Sequence, residues 1–259
     1  MAELDTPVTH YMSAPVYALE PNTPLDHADK QLRAWRVSAA AVVDGDELVG
    51  AISLTDLLRV GRSEAVEDGR GLALRLPVKT VADAMSPKLV TIENSESIRV
   101  AASSMIEHQI HRLFVVAGGS LEGVLSTRDI MDAISNERMD NPLSEFASSP
   151  IEAVRAEEPI ANALERMQGG GVSGLVVLED GWPVGAFTQR EALIGRDMPD
   201  GAAVEWAMNP ALLALPHDTP LFRAAAQASA MDVRWIVTSR GQLIEGVVTG
   251  LDFCRAAAG

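Results

Sequence analysis

The chain has 259 residues, 47% of them apolar and 4% aromatic, with a formal net charge of −15. It is long enough to bury an aliphatic core and too acidic for a general nucleic-acid surface, and it lacks the apolar run of about 18 residues that a membrane helix needs. One cysteine, Cys254, excludes an intramolecular disulfide framework and a multi-cysteine zinc site.

In chain order, the first element is a short helical segment, Val8-Thr-His-Tyr-Met12, stopped by Pro15. The residues before it lack the basic-then-apolar pattern of a secretory signal, so a soluble cytoplasmic protein is expected. A helix is predicted from Thr23-Pro24-Leu25, because proline presets the backbone of a first turn. Ala39 to Val43 is β-rich, Leu48 to Ile52 reads as a second strand, and Thr55 to Val60 reads as a closing helix. The stretch from Arg62 to Val78, with Glu64, Glu67, Asp68, Gly69, Arg70 and Gly71, reads as a loop or a short extra helix.

The same series then recurs three times. Lead-in segments reappear at Val81 to Met85, Leu143 to Ala147 and Val204 to Met208, followed by Pro87, Pro150 and Pro210. Helix starts reappear at Ser97-Ile98, Pro159-Ile160 and Thr219-Pro220-Leu221. Ile98, Ala101, Ala102, Met105 and Ile106 form an apolar stripe at helical spacing, as do Ile160, Ala163, Leu164 and Met167. Leu113 to Val116, Leu175 to Leu178 and Trp235 to Thr238 repeat the β-rich run. Gly169-Gly-Gly171 has no Lys-Ser/Thr after it, so it reads as a helix stop and not as a phosphate loop. Met105, Met131, Met167 and Met231 read as core fillers, whereas Trp182 and Trp206 fit core packing at least as well as a partly exposed place at a partner surface.

Each copy ends in one phrase: a glycine, two apolar residues, a hydroxyl, two variable residues and a carboxylate. These are Gly50 to Asp56, Gly123 to Asp129, Gly185 to Glu191 and Gly246 to Asp252, with glycine spacings of 73, 62 and 61. The chain is therefore a fourfold repeat of β-α-β-β-α units. One unit of about 55 residues leaves an apolar face uncovered, so neighbours are expected to pair, one with two and three with four.

These features resemble the CBS domain: the β-α-β-β-α unit, the Met-Ser-x-Pro lead-in and the Gly-x-x-Ser/Thr-x-x-Asp ending. Two such domains in tandem form a Bateman module. The resemblance covers nearly the whole chain as four units, placed at 1–78 with a linker, 79–138, 139–200 and 201–259. It implies an α+β fold of two Bateman modules, with small mixed sheets flanked by helices. The organisation is similar to the gamma regulatory subunit of AMP-activated protein kinase and to stand-alone prokaryotic CBS proteins.

The resemblance also implies where ligands sit. Adenosine-type nucleotides would lie in clefts between paired units, the base against one unit and the ribose on the other unit's carboxylate. Val37 and Ser38 would face Ser126 and Asp129; Ile110 and His111 would face Ser53 and Asp56. Val172 and Ser173 would face Thr249 and Asp252; Val233 would face Thr188 and Glu191. The chemistry fits, since an ionised carboxylate only accepts hydrogen bonds and two ribose hydroxyls donate. The hydroxyl at a helix start either caps that helix or bonds a phosphate, and the Asp equally suits a cap. His111, Arg112, Arg128, Arg190 and Arg234 are the candidate phosphate contacts. Glu191, one methylene longer than its counterparts, marks the cleft expected to be vacant.

His108 and His111 lack the further ligands a zinc site requires. No nucleophile elbow, zinc-protease motif or P-loop is present, so no catalytic role is expected. No cofactor is required; an adenine nucleotide would act as a regulatory ligand. The partner would be a second copy of the chain or an unidentified target protein. The competing reading is a docking or dimerisation scaffold with empty clefts.

Overall fold

The computed structural model describes residues 4–65, 72–199 and 201–259. Unit 1 comprises β1 (Ala18–Leu19), α1 (Leu25–Trp35), β2 (Ala39–Asp44), β3 (Glu47–Ser53) and α2 (Leu54–Val60). A hairpin of β4 (Arg62–Ala65) and β5 (Leu72–Arg75) follows. Unit 2 holds β6 (Thr91–Glu93), α3 (Ile98–Glu107), β7 (Arg112–Ala117), β8 (Ser120–Ser126) and α4 (Thr127–Asn136). Unit 3 holds β9 (Ala153–Arg155), α5 (Ile160–Gly170), β10 (Gly174–Glu179), β11 (Trp182–Thr188) and α6 (Gln189–Gly195). Unit 4 holds β12 (Leu213–Pro216), α7 (Leu221–Ala230), β13 (Trp235–Arg240), β14 (Leu243–Thr249) and α8 (Gly250–Ala258).

Each unit builds one three-stranded mixed sheet. The middle strand pairs in parallel with the short first strand and antiparallel with the third. A bulge interrupts all four antiparallel pairs just after the strand partner of the phrase glycine.

Neighbouring units exchange their lead-ins. Val8 N donates to Glu96 O at 2.8 Å, and Val81 N returns the bond to Thr23 O at 2.8 Å. Leu143 N reaches Thr219 O at 2.9 Å, and Val204 N reaches Glu158 O at 2.9 Å. This exchange explains the proline starts. Pro24, Pro159 and Pro220 are the residues just before α1, α5 and α7, and none makes a side-chain cap bond. The first helical N–H donates instead to the partner's lead-in: Leu25 to Lys79 O, Ile160 to Ala202 O and Leu221 to Asn141 O. The phrase glycine has a matching reason. A Cβ on Gly123 would lie 2.3 Å from Met12 Sδ, and one on Gly50 would lie 2.8 Å from Met85 Sδ. On Gly185 and Gly246 it would meet Asn209 O at 2.6 Å and the Ala147 Cβ at 2.9 Å. The glycine is thus where the partner's lead-in lies down, and the expected pairing of one with two and three with four is observed.

The two modules meet unequally. Helix α4 packs on α7 and α8, and α3 packs on α8, so units 2 and 4 share one apolar core. It includes Ile98, Met105, Ile130, Leu221 and Phe253, each fully buried and worth about 1.5–3 kcal/mol of transfer free energy. Units 1 and 3 keep separate cores. There α2 meets α6 through a polar junction. Arg196 Nη2 donates to Leu58 O at 2.8 Å and Gly61 O at 2.6 Å, and Ser63 N donates to Asp197 Oδ2 at 2.7 Å.

Two local expectations change. The stretch from Arg62 is a β-hairpin, braced by the cross-strand pair Arg75–Glu64 at 2.8 Å and by Asp197, a partner no local pattern reveals. Glu67, Asp68, Gly69, Arg70 and Gly71 lie outside the described residues. Met231 is 61% exposed, because it caps the end of α7 and does not enter the core. Gly171 does end α5, in the left-handed conformation at φ 61°.

Candidate functional site

The phrase's hydroxyl and carboxylate form the same capping box at the start of α2, α4, α6 and α8. Ser126 N and Oγ donate to Asp129 Oδ2 at 2.6 and 2.7 Å. Ser53 N and Oγ reach Asp56 Oδ2 at 2.9 and 2.6 Å, and Thr249 N and Oγ1 reach Asp252 Oδ2 at 2.5 and 3.0 Å. Thr188 N and Oγ1 do the same with Glu191 Oε2, so the extra methylene does not prevent the cap. One carboxylate oxygen and the hydroxyl are therefore structural in every copy. Only the second oxygen is left for a ligand.

That second oxygen differs among the copies. Asp56 Oδ1 accepts from Arg59 at 2.8 Å, Glu191 Oε1 lies 3.6 Å from Arg190, and Asp252 Oδ1 pairs with Arg255. Among the described residues, Asp129 is the one of the four with no ion pair. Burial raises its pKa above the usual 3.8, partly offset by the bonds from Ser126. Asp252 is raised for the same first reason. Asp252 and Glu191 are each 3% exposed, while Asp56 and Asp129 are half-buried. The division runs between modules, and Glu191 is not alone in being sealed.

Arg112 joins the first cleft across units. It opens β7, its Nη2 donates to Ser38 Oγ of unit 1 at 2.9 Å, and it feels the charge of Asp129. Arg112 thus links Ser38 of unit 1 to the neighbourhood of Asp129, and not to Ser53 and Asp56, where the resemblance put its segment. Val37 and Ile110 are half-buried beside their own units' cores. His111 and Arg112 are both held below their ordinary pKa values, by burial first and then by the charge of Arg234 from unit 4. Three basic side chains therefore converge near the start of α4. The start of α8 abuts it, since a Cβ on Gly250 would lie 2.6 Å from Thr127 Oγ1. Paired helix starts and clustered cations favour an anion, in a body that otherwise repels one.

The other predicted residues are less well assembled. Arg128 turns to unit 4, bonding Ser229 Oγ and Asp232 Oδ1, each at 3.3 Å, and so serves the seam between units. Arg190 is exposed beside Glu191. Among the described residues, no hydrogen bond or ion pair joins His111 to Asp56, Ser173 to Asp252 or Arg234 to Glu191. Val172 is half-buried, Val233 buried and Ser173 exposed. A cleft of about 730 Å³ lies elsewhere, between the hairpin turns of units 1 and 2. Asp44, Asp46, Glu47 and Glu93 line it, a poor setting for phosphate. Gly174 and Trp235 belong to no motif in the sequence. Set side by side, the residues opening the middle strand of each unit, Ala39, Arg112, Gly174 and Trp235, give one small and one large residue per module.

The sequence model of the CBS domain matches residues 8–63, 81–136 and 143–194. The chain belongs to the CBS domain family. The region from 201 onward lies outside those matches yet repeats the CBS order of elements. Protein MJ1225 of Methanocaldococcus jannaschii, described as a proposed archaeal homologue of g-AMPK, superposes with a TM-score of 0.75 at 14% identity, covering 97% of this chain and 99% of that one. A conserved protein of Pyrococcus horikoshii gives 0.67 at 17% identity, covering 97% and 100%. These likenesses are of fold. An uncharacterized 33.4 kDa protein of Thermofilum pendens is 28% identical over 174 residues, 61% of this chain and 53% of that relative. The chain thus spans about half the length of that relative. No described helix is long and apolar enough to cross a membrane.

Proposed function

We propose that this CBS-domain protein is a non-catalytic cytoplasmic regulator that senses adenosine-type nucleotides, AMP, ADP, ATP or a related adenosyl compound. The observation that carries this reading is the Ser38–Arg112–Asp129 arrangement across units 1 and 2. The second oxygen of Asp129 would accept from the ribose hydroxyls, and Val37 and Ser38 would flank the adenine. Arg112, His111 and Arg234 would meet the phosphates, tying unit 4 to the ligand in module 1–2. Binding would then favour one arrangement of the two modules, because a ligand shifts an equilibrium only through unequal affinity for its states. A target protein or a second copy would read that arrangement.

A nucleotide panel tests this by thermal denaturation. A ligand at about 100 times its dissociation constant adds roughly 2.7 kcal/mol, about 5–10 °C in a chain of this size. No shift with any adenosyl compound at millimolar concentration refutes the sensor. A ligand-free docking scaffold is the second reading, favoured by the ion pairs already made by Asp56, Glu191 and Asp252.

A further inference from the structure

The residue opening the first long strand of each unit lies beside the phrase's hydroxyl. Ala39 pairs with Ser53, Arg112 with Ser126, Gly174 with Thr188 and Trp235 with Thr249. In each module the larger side chain reaches over the smaller residue of the partner unit. In module 1–2 that side chain is a guanidinium, which arrives at Ser38, next to Ala39. In module 3–4 it is an indole. A Cβ on Gly174 would lie 2.8 Å from Trp235 Cζ2 and 2.9 Å from Cη2, so only glycine leaves room for the ring.

The indole therefore stretches from the Thr249 end of unit 4 to the Thr188 end of unit 3, between both hydroxyl–carboxylate pairs of the module. The carboxylates there are 3% exposed and ion-paired within their own helices. Where module 1–2 offers a charged group with five N–H donors, module 3–4 offers one neutral donor on a bulky ring.

We propose that Trp235 is a built-in plug, seated on Gly174, that closes the cleft of module 3–4 to nucleotides and confines binding to module 1–2. The second half of that statement rests on the nucleotide reading above; the plug itself does not. The ring works against the ligand twice over, by its volume and by standing where module 1–2 offers a phosphate the guanidinium of Arg112.

Two measurements on the full chain test it. Without ligand, Gly174→Ala should lower the melting midpoint by at least ~4 °C, and by less than half as much in a Trp235→Ala or Trp235→Leu background. Equal losses in all backgrounds overturn the seating of the ring. With AMP, ADP and ATP followed by calorimetry, Asp252→Asn should leave wild-type stoichiometry unchanged and affinity within twofold. Trp235→Ala or Trp235→Leu should add nucleotide sites that Asp252→Asn removes. A wild-type stoichiometry lowered by Asp252→Asn, or no added site in either Trp235 variant, overturns the plug. A wild type that binds nothing while the Trp235 variants bind refutes the sensor reading and upholds the plug.

Discussion

Replacing Arg196 with alanine should loosen one side of the molecule and leave the other intact. Arg196 follows α6, and its guanidinium reaches three carbonyls at the end of α2: Leu58 at 2.8 Å, Gly61 at 2.6 Å and Arg59 at 3.3 Å. Carbonyls in a last helical turn have no partner within the helix. A hydrogen bond to a charged group contributes about 1.5–3 kcal/mol, and here two are short and one is long. The side chain is 29% exposed, so water recovers part of the loss. The net cost should be about 2–3 kcal/mol, or roughly 5–10 °C in the melting midpoint. Arg196→Lys keeps the charge but loses the fork, and should restore about half. Hydrogen exchange locates the effect. Amides from Leu58 to Glu64 should exchange faster, while α3 and α8 keep their protection because their shared core is independent of this junction. An unchanged midpoint, or equal loosening of α3 and α8, refutes the reasoning.

Gly123→Ala should cost about 1–3 kcal/mol in urea denaturation, because its Cβ would meet Met12 Sδ at 2.3 Å. Met12→Ala should recover most of that loss in the double variant; additive losses would count against the lead-in exchange. Desolvation, then Arg234 and Arg112, hold His111 below its ordinary 6.5, which favours the neutral ring. A bound phosphate would raise it again, so nucleotide affinity should strengthen as pH falls through the ordinary value, and His111→Gln should flatten that dependence in calorimetry. Without ligand the sign is opposite. The depressed value gives stability present above pH 6.5 and lost as pH falls through the folded-state value, as denaturation at stepped pH will show. Burial, reinforced by Asp252, pushes the Cys254 thiol up to about 12, so a thiol reagent at pH 8 should label it only as fast as the chain opens. Rapid labelling of the native protein would contradict that burial.

The repeat made most of the fold legible. Glycines at spacings of 73, 62 and 61, with prolines and β-rich runs in step, place the strands and helices from the sequence alone. The exchange of lead-ins was not legible, because Met12 on Gly123 and Val8 on Glu96 are long-range contacts with no local signature. The β4–β5 hairpin was hidden for the same reason, since Asp197 braces it from a distant unit. At the site, the sequence marks the hydroxyls and carboxylates that cap the last helix of each unit but does not separate a capping oxygen from a free one. That distinction depends on Arg59, Arg190 and Arg255, whose rotamers decide which carboxylates are occupied. The fourfold repeat of equal phrases thus resolves into three carboxylates already ion-paired, at Asp56, Glu191 and Asp252, and one, Asp129, without an ion pair among the described residues.

A crystal structure of the chain grown with AMP decides whether and where the nucleotide binds. It should lie between units 1 and 2, with its ribose hydroxyls within hydrogen-bond distance of Asp129 and its phosphate on Arg112. A nucleotide ordered against Asp252 and Thr249 instead, or clefts that stay empty at saturating AMP, would contradict that placement.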